Sequence, residues 1–290
     1  MSDSQGPAFG ASHPKVYITS LHLKHGGVEM MVSALANALV RRDFPVEILC
    51  TYRLGEPAYP LEAAVKVTYL TQDQPNREAF QEARQQKRWG AVLREGLHAI
   101  GILLRKRRTM KQALRALASG IVISTRNEHS LLLSKYGQPG VIKIAQLHHD
   151  HGFDPHLFRD LERGYTHIDA LTLLTDQTTQ EIETMLSARR VPLHCVTIPN
   201  FIAPVPTYPV VRRPQILAAG RLHPDKDFAS LLRIWAKVCP QFPQWHLKIV
   251  GEGPLKQELS DLIQALGLGS QTELAPAMPH KDLLKEMAAS

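Results

Sequence analysis

Short apolar runs alternate with helix-length amphipathic segments along nearly the whole chain, and this alternation limits the fold more than any other feature. Strand-like runs fall at 16–21, 46–51, 65–70, 121–124, 141–147, 170–175 and 193–198. Between them lie helical patterns at 28–42, 77–117, 128–135, 155–165 and 178–186; the first has apolar residues at 28, 31, 32, 35 and 39 on one face. Strands and helices alternating at this spacing predict an α/β fold with a parallel, doubly wound sheet, whose ligands bind beyond the carboxyl ends of the strands. The pattern breaks at 199–214, which holds five prolines and no periodicity, and then restarts. Strands are expected at 215–219, 245–250 and 272–274, with helices at 227–239, 254–266 and from 281 onward. The expected organisation is a disordered N-terminus (1–14), a first domain (15–199), a Pro-rich linker (200–214) and a second domain (215–290). Three strands are few for a parallel sheet that needs helices on both faces, so the second domain reads as incomplete.

Composition narrows the functional classes. The chain is 44% apolar and 21% charged, as in globular proteins, and no run approaches the roughly 18 apolar residues of a membrane span. The polar start carries no secretory signal, and Cys50, Cys195 and Cys239 lie too far apart for a zinc site or a disulfide set. A cytoplasmic protein with buried thiols is expected. The net charge of +7 is local: residues 84–115 hold ten Lys and Arg against the single acid Glu95. The remainder is slightly acidic, which argues against nucleic acid as a partner. Within that segment Trp89, Val92, Leu93, Leu97, Ile100, Leu103 and Leu104 recur at helical spacing, with cations on the other face. Two readings stay open: a peripheral docking face for anionic lipid, or a core-packing helix with a solvated basic face.

Four motifs fall at expected strand ends. Gly26-Gly27 with Glu29 forms a strand-to-helix turn, either a phosphate-approaching loop or a plain tight turn. No Gly-x-Gly-x-x-Gly fingerprint and no P-loop occurs in the chain, which removes the main support for dehydrogenase or P-loop kinase chemistry. The cluster His148-His149-Asp150-His151 could ligate a metal, supply polar groups to a reacting sugar or phosphate, or be a solvated loop. Gly220-Arg221-Leu222 followed by Lys226 has the make-up of a diphosphate clamp: a Gly for close backbone approach, a helix start, and two cations. Gly251-Glu252-Gly253-Pro254 makes a second Gly turn at the end of the next strand.

These residues resemble the retaining glycosyltransferases of family 4, which have the GT-B fold. The resemblance is carried by Gly220-Arg221-Leu222 with Lys226-Asp227-Phe228, and by Leu247-Lys248-Ile249-Val250-Gly251-Glu252-Gly253-Pro254. Gly26-Gly27-Val28-Glu29 matches the family's Gly-Gly-x-Glu loop, Ile198-Pro199-Asn200 ends its first domain, and His148 stands where the family carries an active-site His. The resemblance implies one complete Rossmann-like domain on the acceptor side, followed by part of a Rossmann-like donor domain. It implies transfer of a hexose from a nucleotide diphosphate-sugar to a hydroxyl, with retention and without a required metal or other cofactor. The acceptor class would be a cell-surface polysaccharide, a polyol-phosphate or a lipid-linked glycan, with the protein cytoplasmic or peripheral at the inner membrane face. Arg221, Lys226 and Gly220 would hold the diphosphate, His148 and His151 would act at the transferred sugar, and Gly26, Gly27 and Glu29 would meet phosphate and acceptor. Gly251, Glu252 and Gly253 would form the donor-domain turn. The family's Glu–seven residues–Glu motif has no match among Glu273, Asp282 and Glu286, the only acids after Thr272. The chain is therefore expected to be a fragment, weak or inactive in transfer. The alternatives are a non-catalytic glycosyltransferase-like binding protein and a metal-dependent hydrolase built on the His148–His151 cluster.

Overall fold

The computed structural model describes residues 13–72, 84, 86, 88–148, 154–201 and 211–290. The chain divides into two compact units, Met1–Phe201 and Ile202–Ser290. In the first, seven parallel strands are ordered β3-β2-β1-β4-β5-β6-β7. They are β1 (Val16–Ser20), β2 (Val46–Tyr52), β3 (Lys66–Thr71), β4 (Gly120–Ser124), β5 (Val141–Gln146), β6 (Ala170–Leu173) and β7 (Cys195–Thr197). The helices are α1 (Gly27–Val40), α2 (Trp89–Ala116), α3 (Asn127–Tyr136), α4 (Pro155–Gly164) and α5 (Asp176–Ala188). Parallel neighbours cannot be joined by a hairpin, so each connection must cross over, and here helices do most of that work.

The apolar pattern explains the layers. Every residue of β2 is buried, as expected of a strand inside a sheet covered on both faces. One core packs α1 against β1 and β2 through Val16, Ile18, Val28, Val32, Ala36 and Ile48. A second gathers Met110 and Leu114 of α2 with Leu133, Leu161, Leu171 and Leu173 from α3, α4 and β6. The sheet reverses its winding between β1 and β4, which places a topological switch point at their carboxyl ends.

The second unit has a three-stranded parallel sheet, β10-β9-β8, made of β8 (Gln215–Ala219), β9 (His246–Val250) and β10 (Thr272–Ala275). A 3-10 turn (Pro224–Lys226), α6 (Phe228–Val238), α7 (Lys256–Ala265) and α8 (His280–Ala289) complete it. Its core holds Leu222, Phe228, Leu232, Trp235, Leu247, Ile249 and Leu259. The last helix is tied to the start of the unit: Arg213 N donates to Ala289 O at 2.8 Å, and Glu286 pairs with Arg213 at 3.0 Å and Lys248 at 3.6 Å. The expected strands and helices of both halves are present, within a few residues at each end where described. The long helical pattern from 77 is described as helix only over Trp89–Ala116, since 73–83 lie outside the described residues.

A buried histidine braces the switch point. His129, on α3, bonds Thr19 of β1 through Nδ1 (3.0 Å) and Thr51 of β2 through Nε2 (3.2 Å). Burial, reinforced by the charges of Lys106 and Arg126, pushes its pKa down to about 3. The unfolded chain binds that proton at a pKa of about 6.5, so the neutral imidazole's contribution to stability is complete above about pH 6.5 and is lost as pH falls toward 3. His129→Gln is expected to flatten this acid-side loss. Urea midpoints at pH 7 and pH 5 check it: a smaller drop in the variant is expected, and equal drops would contradict it.

Candidate functional site

In the first unit the sequence motifs fall at the carboxyl ends of β1 and β5. The Gly26–Gly27 turn follows β1 and opens α1, with Gly26 O accepting from Met30 N at 3.0 Å. Glu29 sits in the first turn of that helix, but its side chain points inward and is almost fully buried. One carboxylate oxygen accepts from Arg126 Nη2 at 2.9 Å and lies 3.6 Å from His22 Nδ1. The other packs against Gly26, so that a Cβ added there would lie 2.0 Å from it. Glycine at 26 leaves that space to the carboxylate, and a side chain there would have to displace the Glu29 head from its place beside Arg126. At Gly27 a Cβ would meet nothing within 4 Å. The expectation that Glu29 faces a ligand is corrected, because a buried carboxylate needs a cation and Arg126 supplies it.

Sequence reasoning missed Arg126 and His22. Arg126 stands at the residue before α3, two past the end of β4, and the adjoining Thr125 hydroxyl donates to Thr19 O at 2.7 Å, tying the ends of β1 and β4 together. Burial holds the His22 pKa below its usual value; Glu29 opposes that shift and Arg126 reinforces it. The available signal was an acid in a helix otherwise patterned for burial, with a lone Arg at the end of a later strand. His148 stands two residues past β5, half-buried. His149, Asp150 and His151 lie outside the described residues, so the proposed role of His151 and the metal alternative have no structural description.

In the second unit the two Gly turns interlock. Leu222 is fully buried; its N–H donates to Glu252 O at 2.9 Å and its carbonyl accepts from Leu255 N at 3.1 Å. A Cβ on Gly251 would sit 1.9 Å from Gly220 O, and one on Gly253 2.4 Å from Leu222 O. Any side chain there must push the turns apart. At Gly220 a Cβ would make only ordinary contacts with Phe228 and Lys226, the nearest at 3.5 Å. Close approach is thus required of Gly251 and Gly253, against the backbone that carries Arg221, and not of Gly220. The Glu252 side chain points outward and pairs with Lys256 at 3.1 Å.

This interlock presents the cations. Arg221 is exposed over 71% of its side chain, and Lys226 over half. Both face Asp225, at 3.6 Å and 3.9 Å, and His223 Nδ1 lies 2.5 Å from the same carboxylate. Slight desolvation raises the Asp225 pKa, but the His223 hydrogen bond and the charges of His223, Arg221 and Lys226 outweigh it and hold the carboxyl below its usual value. The cations therefore already have an anion beside them, a partner the sequence reading overlooked. They also stand ahead of α6 rather than on it. Asp227, in the left-handed region at φ 47°, caps that helix by accepting from Ser230 N. Two fixed cations and a histidine around one aspartate leave a net positive, solvent-facing cluster at a strand end, suited to a multiply charged anion. The cysteines offer no competing chemistry: all three are buried, and burial pushes Cys50 up to about 12 and Cys195 up to about 11.

Comparison with known proteins bears on the fold and on the segment that carries the Gly turns. Residues 209–290 match the family model described as glycosyl transferases group 1. An exopolysaccharide phosphotransferase of Streptomyces coelicolor is 29% identical over 280 residues, covering 88% of this chain and 28% of that protein. A Campylobacter jejuni alpha-1,4-N-acetyl-D-galactosaminyltransferase, named for a GalNAc-containing diNAcBac-PP-undecaprenol substrate, is 25% identical over 250 residues, covering 85% of this chain and 64% of that enzyme. The chain thus spans less than two thirds of either relative. Among solved structures, TarM of S. aureus, in complex with fondaparinux, alpha-GlcNAc-glycerol and UDP, superposes with a TM-score of 0.66 at 11% identity, covering 92% of this chain and 78% of that one. The fold is GT-B.

Proposed function

We propose that this GT-B chain belongs to a glycosyltransferase that moves a hexose from a nucleotide diphosphate-sugar to a hydroxyl acceptor, with retention at the anomeric carbon. The observation that carries the reading is the Arg221–Lys226 cluster, held at a strand end by the Gly251–Gly253 interlock inside the segment that matches the group 1 model. In the reaction the bond between the anomeric carbon and the donor phosphate oxygen breaks, and the nucleotide diphosphate leaves with the electron pair. The acceptor oxygen bonds to that carbon and passes its proton to the departing diphosphate oxygen. Charge grows on the leaving diphosphate, and Arg221 and Lys226 are placed to stabilise it, an electrostatic role that needs no metal. His148 is assigned to the transferred sugar, and the Gly26–Gly27 turn to phosphate and acceptor. The acceptor class is a cell-surface glycan, a polyol-phosphate or a lipid-linked glycan, in keeping with the undecaprenol-linked substrate named for the C. jejuni relative.

UDP and other nucleoside diphosphates are expected to bind the chain, and Arg221→Ala and Lys226→Ala each to weaken binding about tenfold, the loss of one charge-assisted contact. Calorimetric titration checks this, and unchanged affinity in both variants would contradict it.

A second element supports a membrane-surface location. The last turns of α2 are anchored by Met110 and Leu114, while Trp89, Leu93, Leu97, Ile100, Leu103 and Leu104 stand exposed, Trp89 by 70% and Leu104 by 65%. On the same helix Arg105, Arg107 and Arg108 face solvent. Among the described residues no helix is long and apolar enough to cross a membrane. An apolar stripe continuing into a cationic one fits the boundary between acyl chains and anionic headgroups. Vesicles containing phosphatidylglycerol are expected to sediment the protein at low salt, with Leu93→Asp/Leu97→Asp abolishing the effect. Equal sedimentation of the variant, or equal binding to purely zwitterionic vesicles, would contradict this reading.

A further inference from the structure

We infer that Arg126 is the positioning residue of the Gly26–Gly27 turn, acting through Glu29. The inference rests on the transferase reading only in taking that turn to meet phosphate or acceptor; the mechanical link stands on the geometry of the first unit. Arg126 is rooted where β4 ends, beside the switch point, and Thr125 and His129 tie this end to β1 and β2 through Thr19 and Thr51. From that fixed base the guanidinium holds a single carboxylate at 2.9 Å. The carboxylate in turn abuts the turn itself, since its second oxygen takes the space where a Gly26 side chain would begin. Arg126 thus fixes the group that packs against Gly26. His22, where the chain leaves β1, lies 3.6 Å from the same carboxylate, so the segment between β1 and α1 closes around one buried anion.

The stakes are those of a buried charge. Removing Arg126 leaves Glu29 uncompensated, and a carboxylate in that position relaxes by turning toward water, carrying the turn with it. A pair that merely stabilised the fold would lose stability throughout the unit, without a local effect on the turn. Hydrogen exchange on the full chain separates the two. In Arg126→Met, amides of residues 22–30 are expected to exchange about tenfold faster or more, with a lowered melting temperature. In the double variant Glu29→Gln/Arg126→Met no charge is stranded, so the melting temperature and the exchange of β2 are expected to recover while 22–30 stays fast. Arg126→Lys, which keeps the charge but not the fork, is expected to fall between. If 22–30 returns to wild-type exchange in the double variant together with the melting temperature, the positioning role is wrong. The double variant decides the matter even if Arg126→Met alone does not fold. Failure of the transferase reading would show separately, as absence of nucleotide binding by the wild-type chain.

Discussion

Parallel strand pairing is the constraint on which the rest of this structure depends. A parallel neighbour is reached only by crossing over, so strands of each unit point the same way and their following turns open along one edge. Chemistry-bearing residues scattered from Gly26 to Gly253 are thereby collected at strand ends, within their own units. The first unit adds a reversal of winding between β1 and β4, and the crevice this creates is where Glu29, Arg126 and His22 meet. Among the described residues the second unit shows no such reversal, and it builds its site differently, by docking one strand-end turn onto the next.

Both sites use the same economy of parts. In each, the space a glycine leaves open is filled from within the protein, and a charged group is held beside it at a strand end. At Gly26 the occupant of the missing side chain's space is a carboxylate, and at Gly251 it is the neighbouring carbonyl of Gly220. The consequences differ. Glu29 is buried and paired with Arg126, so the turn is braced from inside. Arg221 and Lys226 are exposed and share one aspartate, so the cluster keeps an excess of positive charge toward solvent.

Much of the fold was legible in the sequence because hydrophobic periodicity reports burial directly. The run Val46–Tyr52 is apolar enough to be an interior strand, and the prolines after Ile198 mark where the pattern stops. What could not be read were interactions between residues distant in the chain. Glu29 looked like a loop acid because its partner lies 97 positions away. Gly220 looked like the residue that needs to be glycine, because the carbonyl constraint falls on Gly251, a whole helix and strand later. The apolar stripe of α2 has the same periodicity whether it packs on a core or faces water. Only the structure shows that Met110 and Leu114 do the packing and that Trp89 to Leu104 is largely left out.

The strand-end cluster of the second unit is proposed to hold a nucleotide diphosphate. Backbone chemical-shift mapping of the isotopically labelled chain during titration with UDP, GDP and ADP tests it most directly. The account predicts that at least one of them shifts the amides of Gly220–Asp227 and Gly251–Leu255 together, saturably, with the shifts suppressed by salt. Shifts confined to other parts of the chain, or none with any of the three, would contradict it.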